Sequence, residues 1–219
     1  MNAKELAKYI DHTLLKPTAT DEDVKKISKE AVEWGCFAVC VNLARLPAAL
    51  EVVSGTDVIP CSVTSFPLGA TGRRTRVFET KEAVALGAKE IDTVVDLGLV
   101  KAGKWVEVED DLKAIKEASD GSVLKVIVET CYLTQYEKLK CLEACINAGA
   151  EFIKTSTGFG PSGASIDDIL LFKKEGGDRI KIKAAGGIRT LDDAVALIDA
   201  GAHRLGMSRT VDVLRKALG

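Results

Sequence analysis

Short apolar runs alternate with longer amphipathic runs along the whole chain. Runs rich in β-branched residues predict strands at 9–13, 37–41, 58–65, 90–95 and 123–130, in two segments that begin at Phe152 and Lys181, and at 203–208. The amphipathic runs predict helices over 20–34, 46–53, 76–88, 104–119, 134–150, 165–175, 190–202 and 210–218. Strands that alternate with helices are typical of a parallel α/β sheet, and eight rounds predict a closed (β/α)8 TIM barrel. A doubly wound open sheet is the alternative.

The length and composition are those of one globular domain spanning 1–219. The chain has 219 residues, of which 47% are hydrophobic, and no linker or low-complexity segment divides it. Its net charge of −2 does not favour nucleic acid or a charged membrane as a partner. No apolar run approaches the ~18 residues of a membrane span, and the first residues lack a signal-peptide core. We therefore expect a cytoplasmic protein.

Two lysines stand out on the predicted strands that flank the helix at 165–175. Because side chains alternate along a strand, Lys154 shares a face with Phe152, and Lys183 shares a face with Lys181. If the strands are neighbours, Lys154 and Lys183 lie together on the inward face, where an unpaired lysine is costly. Burial and a nearby positive charge both lower the pKa of a lysine, which yields a nucleophilic amine.

Other charged residues fall on the same inward faces. Glu90 and Asp92 alternate with Ile91, while Lys125 and Glu129 alternate with apolar residues of the strand at 123–130. These charges could simply neutralise one another. However, active sites of this fold lie at the carboxyl ends of the strands, so the cluster favours a catalytic interpretation.

Glycine-rich turns follow three of the late strands. The segment 158–163, GFGPSG, fits G-x-G-x-x-G, but Pro161 and its late position argue against a dinucleotide site. Gly186 and Gly187 follow the Lys183 strand, and Ser208 and Arg209 follow the last strand. Loops after strands seven and eight of this barrel commonly bind phosphate. The glycines could instead serve only to make tight turns.

The cysteines and histidines predict no metal site. None of the six cysteines forms a CxxC pair, and reduced thiols in a reducing compartment are expected. His12, at the end of the first predicted strand, is expected to have a structural role.

The chain resembles the deoxyribose-phosphate aldolase family along nearly its whole length. The motifs that carry the resemblance are DHTLLKPTAT (11–20), VCVN (39–42), EIDTVVDLG (90–98), KVIVET (125–130), FIKTSTGFGPSGAS (152–165), KIKAAGGIRT (181–190) and GAHRLGMS (201–208). The resemblance implies a TIM-barrel class I aldolase, without metal or other cofactor, that interconverts 2-deoxy-D-ribose 5-phosphate with acetaldehyde and glyceraldehyde 3-phosphate. A homodimer or higher homo-oligomer is the expected assembly.

The resemblance also implies roles for individual residues. Lys154 would form the Schiff base, Lys183 would be the second lysine that activates it, and Asp92 would belong to the proton relay. The residues at the phosphate-contacting positions are Gly158, Gly186, Gly187 and Ser208, with Arg209 next to them.

Two positions differ from the usual pattern of the family. Asp96 stands where many members have asparagine, and Arg209 stands where a second small polar residue is usual. Two alternatives remain: another Schiff-base barrel aldolase with a different aldehyde or keto acid, and a non-catalytic barrel that binds phosphosugars.

Overall fold

Eight parallel strands close into a barrel in the order in which they occur along the chain. This computed structural model describes residues 1–218. The strands are Ile10–Leu14 (β1), Ala38–Asn42 (β2), Ile59–Thr64 (β3), Glu90–Val94 (β4), Val123–Ile127 (β5), Phe152–Lys154 (β6), Lys181–Ala185 (β7) and Arg204–Met207 (β8). Because β1 pairs with β8 as well as with β2, the sheet is closed, which confirms the TIM barrel and excludes the open sheet.

The helices cover the outside of the barrel. They are Ala3–Ala7 (α1), Asp21–Trp34 (α2), Leu46–Val53 (α3), Arg73–Leu86 (α4), Leu97–Lys101 (α5), Trp105–Ala118 (α6), Gln135–Asn147 (α7), Ile166–Gly176 (α8), Leu191–Ala200 (α9) and Thr210–Lys216 (α10). All eight predicted helices are confirmed, with ends that shift by a few residues. The short helices α1 and α5 were not predicted, since each is too short for an amphipathic pattern to show.

Local signals set the helix ends. Thr20, Thr134 and Thr190 each accept a hydrogen bond from the backbone three residues later, within complete capping boxes. Gly87 ends α4 in the left-handed region, with φ of 116°, which a residue with a side chain rarely adopts. These ends fix where each strand enters and leaves the barrel.

The two faces of the strands have different surroundings. Ile91, Val126 and Ile153 point outward and join the main apolar core between the barrel and the helices. Inside, Cys40 and Cys61 of β2 and β3 belong to a small apolar cluster, which explains their burial as core positions. The rest of the interior carries the charged residues of the site. Among residues 1–218, no helix combines the length and apolar character needed to cross a bilayer.

One predicted strand ends earlier than expected. The strand predicted over 123–130 stops at Ile127, and Glu129 has a left-handed backbone with φ of 52°. Its carboxylate accepts hydrogen bonds from the backbone N–H and hydroxyl of Thr157. The expectation that Glu129 belongs to the interior charge cluster was therefore wrong, because the chain turns before it and Glu129 instead holds the loop after β6.

Candidate active site

The carboxylate of Asp92 lies at the centre of three buried lysines. Its Oδ2 accepts hydrogen bonds from the Nζ atoms of Lys154 and Lys183, both at 2.7 Å. Its Oδ1 accepts one from Lys125, also at 2.7 Å. Register explains the arrangement, because Lys154 lies opposite Lys183 on β6 and β7, and Asp92 lies opposite Lys125 on β4 and β5. The structure thus brings Asp92, Lys154 and Lys183 together, and their catalytic roles stay a prediction.

Further charged residues extend this group across the barrel. Asp11 of β1 accepts hydrogen bonds from Lys183 and, at 2.8 Å, from Arg204 of β8. Glu90 of β4 lies 2.6 Å from the Nζ of Lys125 and 3.2 Å from Arg204. The seven residues form the interior charge cluster, which consists of Asp11, Glu90, Asp92, Lys125, Lys154, Lys183 and Arg204.

Two members of the interior charge cluster were missed at the level of sequence. Asp11 and Arg204 alternate with the outward residues Ile10 and Leu205, both of which belong to the main core. The same alternation that selected Lys154 would have found them on β1 and β8. His12 points the other way and bonds Glu30 of α2 at 2.9 Å, which agrees with a structural role.

The surrounding charges keep most of the cluster ionised. Burial alone would raise the pKa of Asp92, but Lys125, Lys154 and Lys183 hold it well below its usual range. Burial likewise opposes the charge of Lys183, but Asp11 and Asp92 raise its pKa above the ordinary value. The pKa of Lys125 is raised well above its usual value for the same reason, chiefly through Asp92. Lys125 and Lys183 therefore remain ammonium groups despite being fully buried.

A cavity of about 260 Å³ opens at the carboxyl ends of the strands next to this cluster. Lys154 lines this cavity, and so do four of the five residues predicted to contact phosphate. These residues are Gly158, Gly186, Gly187 and Ser208. The exception, Arg209, does not line the cavity, and its Nε lies 3.4 Å from Asp212 on the surface. A contribution of Arg209 to phosphate binding stays a prediction.

Close approach of the backbone explains two of the glycines in this region. A Cβ at Gly163 would lie 2.1 Å from the carbonyl oxygen of Gly186, so the loops after β6 and β7 can meet only without a side chain there. A Cβ at Gly206 would lie 3.1 Å from both Cε of Lys183 and Cβ of Ala185. Gly206 therefore leaves the room in which the Lys183 side chain crosses the barrel.

Asp96, where the sequence departs from the pattern of related aldolases, has a structural place. Its carboxylate caps α5 by accepting the backbone N–H of Leu99 at 3.0 Å, and it lies 3.4 Å from the buried Arg76. An asparagine could cap the helix as well, so this departure does not alter the lysine group.

Three side chains in and beside the interior charge cluster carry donor atoms of the kind that bind metal ions. Cys40, Cys61 and Asp92 have ligand atoms within 4.8 Å of one another. However, the ammonium group of Lys125 lies 2.7 Å from Asp92 and 3.4 Å from Cys61. Since a metal cation would have to displace or approach this positive charge, the donors do not fit a metal ion.

Comparison with known proteins agrees with this geometry. A family model described as DeoC/LacD family aldolase matches residues 5–216. The deoxyribose-phosphate aldolase of Aciduliprofundum boonei is 49% identical over 216 residues, which cover 98% of this chain and 97% of that protein. A solved structure described as "QR15, an Aldolase" superposes with a TM-score of 0.94 at 41% identity, covering 98% and 96% of the two chains.

A further solved structure is described by its oligomeric state. The deoxyribose phosphate aldolase from Aeropyrum pernix, described as a tetramer, has a TM-score of 0.90 at 31% identity and covers 98% of this chain and 91% of its own. The family model and these relatives cover nearly the whole barrel, including every residue of the interior charge cluster. The chain therefore belongs to the DeoC/LacD family of aldolases.

Proposed function

We propose that this aldolase reversibly cleaves 2-deoxy-D-ribose 5-phosphate to acetaldehyde and D-glyceraldehyde 3-phosphate through a Schiff base on Lys154. One observation carries the assignment of the nucleophile. Lys154 is the member of the interior charge cluster that also lines the cavity, whereas Lys125 and Lys183 lie fully buried behind it. A substrate in the cavity therefore meets the Lys154 nitrogen before any other lysine of the cluster.

The formal charges of the cluster leave no separate counter-charge for Lys154. Without Lys154, the formal charges balance, with three cations and three anions. The cations are Lys125, Lys183 and Arg204, and the anions are Asp11, Glu90 and Asp92. A protonated Lys154 would add an uncompensated positive charge to a buried group, which is costly. Attack on a carbonyl carbon uses the free-base form of the Lys154 amine.

The reaction then follows from the positions of Lys154, Lys183 and Asp92. The Lys154 amine attacks the C1 carbonyl carbon to form a carbinolamine, and the nearby Lys183 ammonium supplies a proton as water leaves. The resulting iminium accepts the electron pair of the C2–C3 bond when the C3 hydroxyl passes its proton, directly or through water, to the Lys183 amine left neutral by the previous step. Glyceraldehyde 3-phosphate departs, the enamine carbon C2 gains a proton, and water releases acetaldehyde and restores the amine.

Asp92 acts in this scheme by linking the two lysines. Because its pKa lies well below the usual range, the carboxylate stays ionised and is a weak proton acceptor by itself. Its Oδ2 accepts hydrogen bonds from both Lys154 and Lys183, so it fixes the two nitrogens side by side. Asp92 thus orients the two lysine nitrogens, and protons can pass to and from the substrate through Lys183 or a water molecule.

The substrate assignment has two supports. Backbone amides of the glycine loops and the hydroxyl of Ser208 line the same cavity as Lys154 and offer hydrogen bonds to a phosphate. The relatives from Aciduliprofundum boonei and Aeropyrum pernix bear the name of this activity. We propose that this substrate is a product of deoxyribonucleotide breakdown, and that the reaction belongs to nucleotide catabolism in the cytoplasm.

Chemical trapping tests the Schiff base. Incubation with acetaldehyde followed by borohydride should convert Lys154 to N-ethyl-lysine, identified by peptide mass mapping. Lys154→Met should abolish the label, while Lys181→Met, at an exposed lysine on β7, should leave it unchanged. Labelling of Lys183, or no labelling, would contradict the assignment. Cleavage assays on a panel of phosphosugars then distinguish deoxyribose 5-phosphate from the substrates of other barrel aldolases.

We also propose that the chain forms a homodimer or a higher homo-oligomer. The support is the tetrameric description of the Aeropyrum pernix relative, together with the general preference of soluble enzymes for symmetric assembly. Sedimentation velocity over a range of protein concentrations tests it, and a monomer at all concentrations would contradict the proposal.

A further inference from the structure

We propose that Lys16, in the loop after β1, supplies the positive charge that recognises the phosphate of the substrate. The inference rests on the proposed function, because it names a residue that selects phosphorylated substrates at the same site. Lys16 lines the cavity that also contains Lys154, Gly186, Gly187 and Ser208. It was not among the phosphate residues expected from the sequence.

The backbone of the loop that carries Lys16 is well anchored. Leu15 is buried, and its carbonyl accepts a hydrogen bond from the side chain of Asn42 at 3.3 Å. The carbonyl of Lys16 accepts the N–H of Ala19 at 3.1 Å, and the carbonyl of Ala19 accepts Nε of Arg45, also at 3.1 Å. The loop therefore holds the Lys16 backbone at the cavity edge and leaves its exposed side chain free to move.

The charges around the cavity favour an anion. Its lining contains two lysines, Lys154 and Lys16, and no aspartate or glutamate. Lys16 forms no salt bridge within residues 1–218, and the pKa of the nearby Asp23 is lowered first by its hydrogen bonds to Thr20 in the cap of α2 and least by Lys16. Lys16 is thus a cation without a salt-bridge partner in the described chain, at the open edge of a cavity whose buried end carries the nucleophile.

A cation suits the chemistry of a phosphate ester. A phosphate monoester carries roughly −1.5 to −2 charges at neutral pH. Glycine amides and the Ser208 hydroxyl donate hydrogen bonds but bring no net charge. Lysine is a compact point charge on a flexible stem, which suits a phosphate group that enters and leaves with each turnover.

Arg209 is the competing cation, and its surroundings differ. It does not line the cavity, its side chain is 58% exposed, and its Nε is directed to Asp212 at 3.4 Å. To bind phosphate, Arg209 would have to leave this carboxylate and cross to the cavity. Lys16 needs neither step, so we expect the larger effect from Lys16.

Kinetics with two substrates test the proposal. Lys16→Met should raise KM for deoxyribose 5-phosphate by roughly ten- to a hundredfold, the usual effect of losing a hydrogen bond to a charged group. It should leave kcat/KM for unphosphorylated deoxyribose unchanged, because that substrate lacks the group in question. Lys16→Arg should retain most of the phosphate preference. Inhibition by inorganic phosphate should weaken in Lys16→Met in parallel with the rise in KM.

Matched variants separate a direct contact of Lys16 with phosphate from a general effect of surface charge. Lys26→Met removes one positive charge from an exposed position on the neighbouring helix α2, outside the cavity, and should change neither substrate's kinetics. Arg209→Ser should have a smaller effect than Lys16→Met. An equal loss for both substrates in Lys16→Met, no loss for either, or a larger effect of Arg209→Ser would overturn the proposal.

Trapping with acetaldehyde separates this test from that of the proposed function. Acetaldehyde carries no phosphate, so Lys16→Met should still form N-ethyl-lysine at Lys154, which also shows that the variant is folded. If the unaltered protein is not labelled, the proposed function fails. If it is labelled but KM for the phosphorylated substrate does not depend on Lys16, only the inference about Lys16 fails.

Discussion

Lys154 and Lys183 lie directly opposite each other on β6 and β7, and their Nζ atoms donate to the same oxygen of Asp92. Their other surroundings differ. Lys183 has a second carboxylate partner, Asp11, whereas Lys154 has none within 4.0 Å in the described chain and reaches the cavity. Two lysines in equivalent strand positions are thus given different properties, one an ammonium and the other the proposed nucleophile.

Loss of the shared carboxylate should impair catalysis. Asp92→Asn keeps the size of the side chain but removes the charge that holds Lys154 and Lys183 together. We expect kcat to fall by about 10²-fold or more, the usual scale for a group that assists proton transfer. Steady-state kinetics with deoxyribose 5-phosphate measure it.

A matched control for this variant lies just after the same strand. Asp96→Asn changes a carboxylate that caps α5, and asparagine caps helices equally well. Its kcat should remain close to that of the unaltered protein. Asp92→Asn with near-normal turnover would remove Asp92 from the proton relay.

Crowding of Lys183 should also reduce turnover. In Gly206→Ala the new Cβ would lie 3.1 Å from Cε of Lys183, a tight contact that the lysine can relieve only by a small shift. Since small displacements of reacting groups are costly, kcat should fall by at least about tenfold. Gly72→Ala is the control, because nothing lies within 4 Å of its Cβ. Equal kcat in the two variants would show that Lys183 has more room than the structure indicates.

The stability of the fold should depend on pH in the acid range. Burial alone would raise the pKa of Asp11, but Lys183, Lys125 and Arg204 outweigh it and lower the pKa from 3.8 to about 2. A carboxyl with a lowered pKa stabilises the fold above its unfolded value, and that contribution is lost as the pH falls through the folded value. Asp92, whose pKa is lowered further, acts in the same direction.

We therefore expect the free energy of unfolding to fall between about pH 4 and pH 2, by on the order of 2 kcal/mol for Asp11 alone. Denaturant titrations at several pH values measure it. Asp11→Asn should show a shallower acid dependence, whereas Asp57→Asn, at an exposed aspartate, should match the unaltered protein. An equally steep fall in Asp11→Asn would contradict the prediction.

A second buried ion pair holds the segments that follow β3 and β4. Arg76 is fully buried, and it donates to Asp111 at 2.9 Å and to the carbonyl of Val94 at 3.2 Å. Arg76→Met would leave the buried Asp111 carboxylate without its main partner, so we expect a loss of about 3 kcal/mol in unfolding free energy. Chemical denaturation measures it.

Two further variants make this prediction specific. Arg74→Met, at an exposed position on the same helix, should change stability by less than about 0.5 kcal/mol. Combining Arg76→Met with Asp111→Leu should recover part of the loss, because the unpaired charge is gone. No recovery would mean that the hydrogen bonds of Arg76 to the backbone, and not the ion pair, carry the stability.

The order of the elements and the inward placement of the lysines could be predicted from the sequence alone. Both depend on local patterns: strand alternation separates Lys154 from Ile153, and helix caps such as Thr20 mark where helices begin. Where the structure differed from the predicted elements, the cause was also local, as at Glu129, whose left-handed backbone follows the early end of β5. Strand pairing in sequence order then places Lys154 beside Lys183, since the connections of a barrel join neighbours.

Which charges pair was decided only by the tertiary structure. Asp11 and Arg204 are 193 residues apart, and they meet because β1 and β8 close the barrel. The roles of Lys16 and Arg209 likewise depend on where loops fold back over the strand ends. No pattern within a short window records such a contact, because the partners are brought together by barrel closure and by the rotamers that packing selects.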